Sequence, residues 1–215
     1  DSDGTTSVAW GDMDGDGDLD LAAGNFGRPI HLYRNDLGAL TSAPAWSSTE
    51  MDQVSCIAWG DVNGDGFPEL AAATTAQNRM YGNAAGTLSA TAAWSSTESE
   101  FTNSVAWGDA DGDGDVDLAV GNYGWPNRLY RNDVGVLTAA ATWSSTVSDH
   151  TFSIAWGDVD EDGRLDLAVG NGNTAEPNRL YGNTSTTPTS AAVWSSTERG
   201  EPYSVAWGDM DGDGD

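Results

Sequence analysis

The sequence predicts an all-β protein, a β-propeller built of four-stranded blades, and three observations support this fold class. The tetrapeptide Ala-Trp-Gly-Asp recurs five times, at intervals of 48 to 51 residues in the 215-residue chain. Each interval contains short apolar runs separated by Gly, Asn and Asp, as expected for strands joined by turns. No segment shows the sustained ~3.6-residue apolar period of a helix. Four strands in ~40–50 residues is the period of a propeller blade.

The repeats define the predicted domain organisation. We expect one domain over residues 1–215, with four complete repeats of about 49 residues and the start of a fifth. The units cover residues 1–49, 50–97, 98–146, 147–197 and, in part, 198–215. This arrangement fits a ring closed by four blades, a part of a larger propeller, or a segment of a longer repeat array.

The first repeat illustrates the expected elements. Its strands are predicted over residues 7–12, 19–24, 30–34 and 40–46. The repeats differ in length only between the second and third strands, which indicates a surface loop there. Phe26, Tyr123 and Trp125 of this loop are candidates for contact with a partner. The two repeated tryptophans of each unit, in Ala-Trp-Gly-Asp and in Trp-Ser-Ser-Thr, are expected to pack between blades.

An acidic loop of fixed pattern follows the first strand of every repeat. The pattern is Asp-x-(Asp/Asn)-x-Asp-Gly-x-x-(Asp/Glu). Side-chain oxygens at positions 1, 3 and 5 can converge on one cation, and the glycine at position 6 permits the sharp turn. Position 7 can offer its backbone carbonyl, and position 9 completes the shell. Oxygen ligands without His or Cys favour Ca²⁺ over transition metals and over Mg²⁺.

The predicted metal ligands are the residues at positions 1, 3, 5, 7 and 9 of each loop. Loop 1 contributes Asp12, Asp14, Asp16, Asp18 and Asp20. Loop 2 contributes Asp61, Asn63, Asp65, Phe67 and Glu69. Loop 3 contributes Asp109, Asp111, Asp113, Asp115 and Asp117. Loop 4 contributes Asp158, Asp160, Asp162, Arg164 and Asp166, and the partial fifth loop contributes Asp209, Asp211 and Asp213.

One Ca²⁺ is expected for each complete repeat, four in all. Three or four carboxylates held within ~5 Å of one another repel strongly without a cation. Loop 2 is the weakest candidate, because Asn63 replaces an aspartate and Glu69 replaces the closing aspartate.

The charge of the chain excludes several functional classes. The sequence has 34 acidic and 8 basic residues, all of the latter Arg, for a net charge of −26. Such a charge repels the phosphates of nucleic acids and of anionic membranes. No apolar run approaches the ~18 residues of a transmembrane helix, so we expect no membrane insertion. A single cysteine, Cys56, excludes an internal disulfide.

The repeat unit resembles a known family. Residues 105–122 read VAWGDADGDGDVDLAVGN and residues 127–133 read NRLYRND. This unit is similar to the FG-GAP or VCBS repeat, which builds the β-propeller of integrin α subunits and of many bacterial surface proteins. The resemblance covers essentially the whole chain. It implies a propeller whose blades each carry a Ca²⁺ loop between the first two strands, with the loop positions named above as ligands.

The predicted function is that of a non-enzymatic, calcium-binding repeat protein, extracellular or on the cell surface, with a structural or adhesive scaffold role. Millimolar Ca²⁺ outside the cell suits sites of this kind. The alternatives are a lectin-like carbohydrate-binding propeller, a subunit of an extracellular filament or sheath, and an accessory propeller of a polysaccharide-degrading enzyme. No catalytic residue is predicted, because almost every clustered carboxylate belongs to a repeated loop. The expected partners are a protein or glycan at the cell surface, or copies of the chain itself.

Overall fold

The computed structural model describes residues 4–173, 175–198, 200 and 202–208. All regular secondary structure in these residues is β, in four antiparallel four-stranded sheets and one short hairpin. The predicted all-β fold of four-stranded blades is therefore confirmed. Among the same residues, no helix has the length and apolar character needed to cross a membrane.

The sheets follow the repeats in chain order, and each is called a blade here. Blade 1 contains β1 (Thr5–Gly11), β2 (Asp20–Asn25), β3 (His31–Tyr33) and β6 (Trp46–Ser47), with a hairpin of β4 (Asn35–Asp36) and β5 (Ala39–Leu40). Blade 2 contains β7 (Val54–Gly60), β8 (Glu69–Thr74), β9 (Arg79–Tyr81) and β10 (Trp94–Ser95). Blade 3 contains β11 (Thr102–Gly108), β12 (Asp117–Asn122), β13 (Arg128–Tyr130) and β14 (Trp143–Ser144). Blade 4 contains β15 (Thr151–Gly157), β16 (Asp166–Asn171), β17 (Arg179–Tyr181) and β18 (Trp194–Ser195).

The fourth strand is shorter than the sequence indicates. Residues 40–46 were expected to be extended, but only the last of them belongs to β6. This segment is rich in Ser, Thr, Ala and Pro, and it turns instead of pairing continuously. In blade 2 the Ser89 hydroxyl donates to the carbonyl of Thr91, a local bond that competes with a ladder.

The register within each blade places the acidic loop. In blade 1 the last residue of β1, Gly11, pairs with the first residue of β2, Asp20. The same glycine-to-acid pairing recurs in the other three blades. Position 9 of each acidic loop is therefore the first residue of a strand, and the loop is closed by the sheet ladder itself.

The first tryptophan of repeats 2–5 packs against the preceding blade. The Trp59 indole N–H donates to the carbonyl of Ala9 in the preceding blade at 3.3 Å. Its ring lies over Gly11, where an added Cβ would come within 2.6 Å of the indole. Trp107, Trp156 and Trp207 make the same contacts with Gly60, Gly108 and Gly157. In Ala-Trp-Gly-Asp the tryptophan thus covers the previous blade, and the glycine leaves room for the next tryptophan.

The second tryptophan of each repeat fills the outer part of the same interfaces. Trp46 meets Tyr81 of the next blade edge-to-face, with ring centroids 5.4 Å apart. The pairs Trp94–Tyr130 and Trp143–Tyr181 repeat this geometry. Leu32, Leu70 and their equivalents complete three apolar clusters, one between each pair of successive blades. Most members of both tryptophan sets therefore pack between blades, as the sequence predicts, whereas Trp10 of blade 1 and Trp194 of blade 4 are 54% and 55% exposed.

Candidate metal loops

The side chain at position 1 organises each acidic loop. Asp12 Oδ1 accepts hydrogen bonds from the main-chain N–H groups of Gly15 at 2.8 Å and Asp16 at 3.1 Å. Asp12 Oδ2 accepts one from Gly17 at 3.0 Å. A carboxylate that accepts three N–H bonds is the natural start of a tight turn. The equivalent carboxylates of the other loops are Asp61, Asp109 and Asp158.

Glycines at positions 4 and 6 let the chain turn back within a few residues. Gly15 has a φ of 74° and Gly17 a φ of 91°, the left-handed region that other residues avoid. Loop 4 departs from this pattern, because Glu161 occupies position 4 with a φ of 56°. Loop 4 therefore holds a non-glycine residue in a strained conformation that loops 1–3 give to glycine.

The carboxylate at position 9 is buried and fixed by main-chain donors. Asp20 is fully buried, and it accepts hydrogen bonds from the N–H of Met13 at 3.1 Å and of Asn35 at 2.8 Å. It therefore joins the loop to the end of the third strand. Glu69, Asp117 and Asp166 are buried in the same way and accept the equivalent bonds.

Burial of this carboxylate makes its ionised form costly. Burial, with a smaller contribution from the charges of Asp111 and Asp113, raises the pKa of Asp117 to about 6. The hydrogen bonds from Asn132 and Ala110 act in the opposite direction. The protein thus keeps several negative charges close together at a position shielded from water, a situation that a bound cation would relieve.

The carboxylates of three loops converge. Oxygens of Asp12, Asp14 and Asp16 lie within 4.8 Å of one another. The same holds in loops 3 and 4, for the sets Asp109, Asp111 and Asp117 and Asp158, Asp160 and Asp166. The side chain of Asp14 is only 10% exposed, and among the described residues its Oδ1 has no hydrogen-bond partner. A buried carboxylate oxygen without a donor, aimed into a cluster of oxygens, fits an oxygen-liganded cation such as Ca²⁺.

Loop 2 is built differently at its centre. The Asn63 amide donates to Glu69 Oε1 at 3.3 Å, so an amide-to-carboxylate bond replaces a pair of like charges. Within the described part of the chain, three carboxylates of loop 2 do not come together as they do in loops 1, 3 and 4. This agrees with loop 2 being the weakest candidate.

The remaining predicted ligands are the residues at position 7 and those of the partial fifth loop. At position 7, the side chains of Asp18 and Asp115 accept bonds from the N–H groups of Leu37 and Val134. Those side chains are thus engaged outside the converging oxygens, and the role of the position-7 carbonyls, including those of Phe67 and Arg164, stays a prediction. Asp209, Asp211 and Asp213 lie outside the described residues.

A set of asparagines that was not anticipated from the sequence joins loops 1–3 to the next blade. The Asn83 main-chain N–H donates to Glu69 of its own blade at 3.3 Å. The Asn83 side chain donates to the carbonyl of Met13 in loop 1 of the preceding blade at 2.8 Å. Asn132 and Asn183 repeat both bonds toward loops 2 and 3. The available signal was that each of these asparagines stands two residues after the repeated tyrosine.

The next blade also covers the loop. A Cβ built on Gly86, in the turn after the third strand of blade 2, would lie 3.1 Å from Cα of Asp14. This turn explains why Asp14 is buried although it belongs to an acidic surface loop. Each of loops 1–3 therefore sits at a blade interface, where a bound cation would act on two blades at once.

The predicted partner residues lie at the end of the blades away from the acidic loops. Tyr123, at the end of β12, stands at the centre of a row of aromatic rings. Its ring centroid is 5.5 Å from that of Phe101, 4.3 Å from that of His150 and 5.8 Å from that of Phe152. Phe152 in turn contacts Tyr203 at 5.3 Å. We call these five rings the aromatic row.

Comparison with protein families gives one match that covers nearly the whole chain. The profile of the FG-GAP-like repeat matches residues 12–72, 61–120, 109–169 and 160–215. The first three matched segments each begin at position 1 of one acidic loop and extend through the next loop into the strand that follows it. No curated protein matches the sequence significantly.

Solved structures with a similar fold include two proteins of low sequence identity. BBS1N, crystallised in complex with ARL6DN, superposes with TM-scores of 0.61 and 0.64 in lead-soaked and mercury-soaked crystals, at 13% and 14% identity. That similarity covers 87% of this chain and 56% of BBS1N. The biofilm matrix protein Bap1 of V. cholerae superposes with a TM-score of 0.58 at 20% identity, over 85% of this chain and 27% of Bap1. The chain thus spans about half or less of the length of these proteins.

Proposed function

Because the chain belongs to the FG-GAP-like repeat family, we propose that it is a non-enzymatic scaffold whose blades are joined by Ca²⁺ bound in the acidic loops. The observation that carries this proposal is the buried Asp14 carboxylate, which lies among converging oxygens with an unpartnered Oδ1. Three carboxylates also converge in loops 3 and 4, there at positions 1, 3 and 9.

The side chains that would hold the cation are those at positions 1, 3, 5 and 9 of loops 1, 3 and 4. Loop 2 would bind more weakly through Asp61, Asp65 and Glu69. The bound Ca²⁺ supplies positive charge that offsets the repulsion of these carboxylates. Because the next blade covers each of loops 1–3, this charge would stabilise the blade interface as well as the loop.

A scaffold role fits the surface chemistry of the chain. A net charge of −26 favours solubility and opposes binding to nucleic acid. Loops with this many carboxylates suit an environment of high Ca²⁺ concentration, such as the outside of the cell. We therefore propose an extracellular or cell-surface location, and a protein at the cell surface or a second copy of the chain as the partner.

The direct test is thermal unfolding of calcium-stripped protein, followed by tryptophan fluorescence with and without Ca²⁺. Metal that binds only the folded state adds about 2.7 kcal/mol per site at a hundredfold excess over Kd. With three or four sites the melting temperature rises by more than about 10 °C. Mg²⁺ at the same concentration gives a small shift.

Two variants separate binding in the loops from a general salt effect. Asp14→Asn and Asp111→Asn each remove one converging carboxylate and reduce the gain from Ca²⁺. Glu198→Gln removes one exposed charge distant from the loops, and it keeps the full gain. A melting temperature that does not respond to Ca²⁺ in the wild-type protein contradicts the proposal.

A second candidate function, glycan binding, is favoured by the aromatic row. Tyr123 is 39% exposed and Tyr203 is 73% exposed, and Trp125, two residues after Tyr123 in the same loop, is 52% exposed. Aromatic rings present an apolar face to the C–H groups of a sugar and, in Tyr and Trp, a polar group at the edge. The charge of the chain restricts the candidate ligands to neutral glycans.

This candidate is tested by titrating a panel of neutral soluble polysaccharides and following tryptophan fluorescence. The double variant Tyr123→Ala, Trp125→Ala loses binding if the aromatic row is the site. Phe26→Ala is the matched control, because Phe26 is 50% exposed in the corresponding loop of blade 1 but lies outside the row. No binding to any neutral glycan, or equal loss in the control, removes this candidate.

A further inference from the structure

Arginines lie against the acidic loops and contact the carboxylates that would bind the metal. In loop 1, Arg34 Nη2 is 2.8 Å from Asp14 Oδ2 and 3.7 Å from Asp16 Oδ2. Arg34 Nε is held by Asp36 Oδ1 at 3.1 Å. The guanidinium therefore bridges positions 3 and 5 of the loop and is itself fixed by a carboxylate outside the loop.

Loop 3 repeats this arrangement. Arg131 Nη1 is 2.7 Å from Asp111 Oδ2, and its Nη2 is 3.2 Å from Asp113 Oδ2. Arg131 Nε is 2.9 Å from Asp133 Oδ1. Repeats 1 and 3 both read Arg-Asn-Asp after the third strand, at residues 34–36 and 131–133. Repeats 2 and 4 have glycine in place of this arginine, at Gly82 and Gly182.

In loop 4 the contacting arginine belongs to the loop itself. Arg164, at position 7 of the loop, contacts Asp162 Oδ2 through Nη1 at 3.2 Å. In loop 2 position 7 is Phe67, and within the described residues no arginine forms an ion pair with Asp61, Asp65 or Glu69. Loop 2 is also the loop in which asparagine replaces one aspartate.

Counted over the side chains at positions 1, 3, 5 and 9, which leaves aside Asp18, Asp115 and Glu161, the four loops have the same charge once the contacting arginines are included. Loops 1, 3 and 4 each have four acidic side chains at positions 1, 3, 5 and 9 and one contacting guanidinium, a net charge of −3. Loop 2 has three acidic side chains and no guanidinium, which is also −3. The same net charge at these positions results from an arginine after the third strand in repeats 1 and 3, from an arginine at position 7 in loop 4, and from the Asp-to-Asn replacement in loop 2.

We propose that Arg34, Arg131 and Arg164 are built-in counter-cations, which stabilise the metal-free loops and lower their affinity for Ca²⁺ toward that of the three-carboxylate loop. This inference rests on the proposed function, because it concerns affinity for the same cation. Its consequence is that the affinities of loops 1, 3 and 4 for Ca²⁺ lie closer to that of loop 2 than their extra carboxylate alone would give. The range of Ca²⁺ concentration over which the blades gain rigidity is then narrower.

The physical reason is Coulombic. The guanidinium lies on oxygens that the metal would share, so it repels a divalent ion across a few ångströms. After screening by water, removal of this charge is expected to tighten the affinity of that loop about tenfold. Without Ca²⁺ the same removal leaves the carboxylates to repel one another, and the metal-free protein becomes less stable.

The experiment measures stepwise Ca²⁺ affinities by competition with a chromophoric chelator, and melting temperatures in EGTA. Arg34→Gln and Arg131→Gln are each expected to tighten one site about tenfold and to lower the melting temperature in EGTA. Arg34→Gly, which installs the residue of repeats 2 and 4, gives the same result. The double variant Gly82→Arg, Ala84→Asp gives repeat 2 the Arg-Asn-Asp sequence, and weakens one site about tenfold. Arg28→Gln, in the exposed loop after β2, changes the net charge equally and leaves the affinities unchanged.

The outcomes separate this inference from the proposed function. Wild-type protein that binds Ca²⁺, with unchanged or weaker affinity in Arg34→Gln and Arg131→Gln, overturns the inference alone. An Arg28→Gln effect as large as that of Arg34→Gln also overturns it, because the cause is then net charge. Wild-type protein that binds no Ca²⁺ overturns the proposed function and the inference together.

Discussion

Loops 2 and 3 share a backbone scaffold but differ in the chemistry at the centre of the loop. In both, a buried carboxylate at position 9, Glu69 or Asp117, accepts two main-chain hydrogen bonds. At position 3, the Asn63 amide donates to Glu69, whereas the Asp111 carboxylate converges with the carboxylates of positions 1 and 9. The shape of the loop therefore does not depend on the charge at position 3. Under the proposed function, we expect that charge to determine how much stability the loop gains from a cation.

The largest expected effect tests the shared scaffold. Glu69→Ala and Asp117→Ala each leave two main-chain N–H groups, largely buried, without their acceptor, which costs about 2–4 kcal/mol of unfolding free energy. Urea unfolding in EGTA measures the loss without any contribution from metal. The control, Asp115→Ala, removes a half-buried carboxylate of loop 3 that accepts a single hydrogen bond from the N–H of Val134 at the surface, and it costs less than about 1 kcal/mol. Loss in Asp117→Ala but not in Glu69→Ala contradicts a common scaffold.

The glycines that precede the two loops leave room for the tryptophan of the next blade. A Cβ on Gly60 or Gly108 would lie about 2.7 Å from the indole of the next blade, so Gly60→Ala and Gly108→Ala each cost about 1–3 kcal/mol through overpacking. Gly208 occupies the same position in the fifth repeat and has no atom within 4 Å of its Cβ site. Gly208→Ala, measured in the same urea unfolding experiment, is therefore close to neutral. Equal effects at all three positions count against packing as the cause.

Substitutions at position 3 interchange the central side chains of loops 2 and 3. Asn63→Asp gives loop 2 the acidic set of loop 3 and replaces a hydrogen bond with a like-charge contact. In EGTA the unfolding free energy falls by about 1 kcal/mol, since two unit charges at ~4 Å interact by about that amount in water. With saturating Ca²⁺ the variant gains more than the wild-type protein does. The reciprocal variant, Asp111→Asn, gains less, and a gain unchanged in both variants contradicts the role assigned to position 3.

The smallest expected change in unfolding free energy is at position 4 of loop 4. Glu161 adopts the left-handed conformation that Gly64 and Gly112 adopt in loops 2 and 3. Glu161→Gly relieves this strain and raises the unfolding free energy by about 0.5–1 kcal/mol, part of the gain being offset by the freedom of glycine in the unfolded chain. Gly112→Ala, the opposite change, lowers it by a similar amount. Destabilisation by Glu161→Gly indicates that the Glu161 side chain makes a contact of its own.

The strands, their order and the position of the acidic loops were predictable because each depends on local chemistry. Alternating apolar residues bounded by Gly, Asn and Asp specify short strands. The Asp-x-Asp-x-Asp-Gly spacing specifies a tight turn, since the Asp12 side chain bonds to the N–H groups three to five residues later. The packing of both tryptophan sets was also predictable, because large apolar side chains at a fixed strand position recur in every blade.

The roles of Asn83, Arg34 and their equivalents were not predictable from pattern alone. Asn83 bonds to the carbonyl of Met13, which is 70 residues away in the sequence. Arg34 meets Asp14 only because the end of β3 lies beside the loop before β2 in the folded blade. Both residues stand out in the sequence, because Asn83 recurs in the other repeats and Arg34 alternates with glycine from repeat to repeat. The sequence does not show, however, which distant atom each side chain contacts.

The sequence by itself determined the blades, because strand pairing between neighbours in the chain and turns within nine residues are decided by local composition. It also determined the number and spacing of the carboxylates in each loop. Only the tertiary structure decided that these loops lie at blade interfaces, with Asp14 buried under the turn that contains Gly86. The burial of Asp14 arises from contacts with the next repeat, about seventy residues along the chain, and these form only when the blades stack. The contacts of Arg34 with Asp14 form within one repeat, when the end of β3 comes to lie beside the loop before β2.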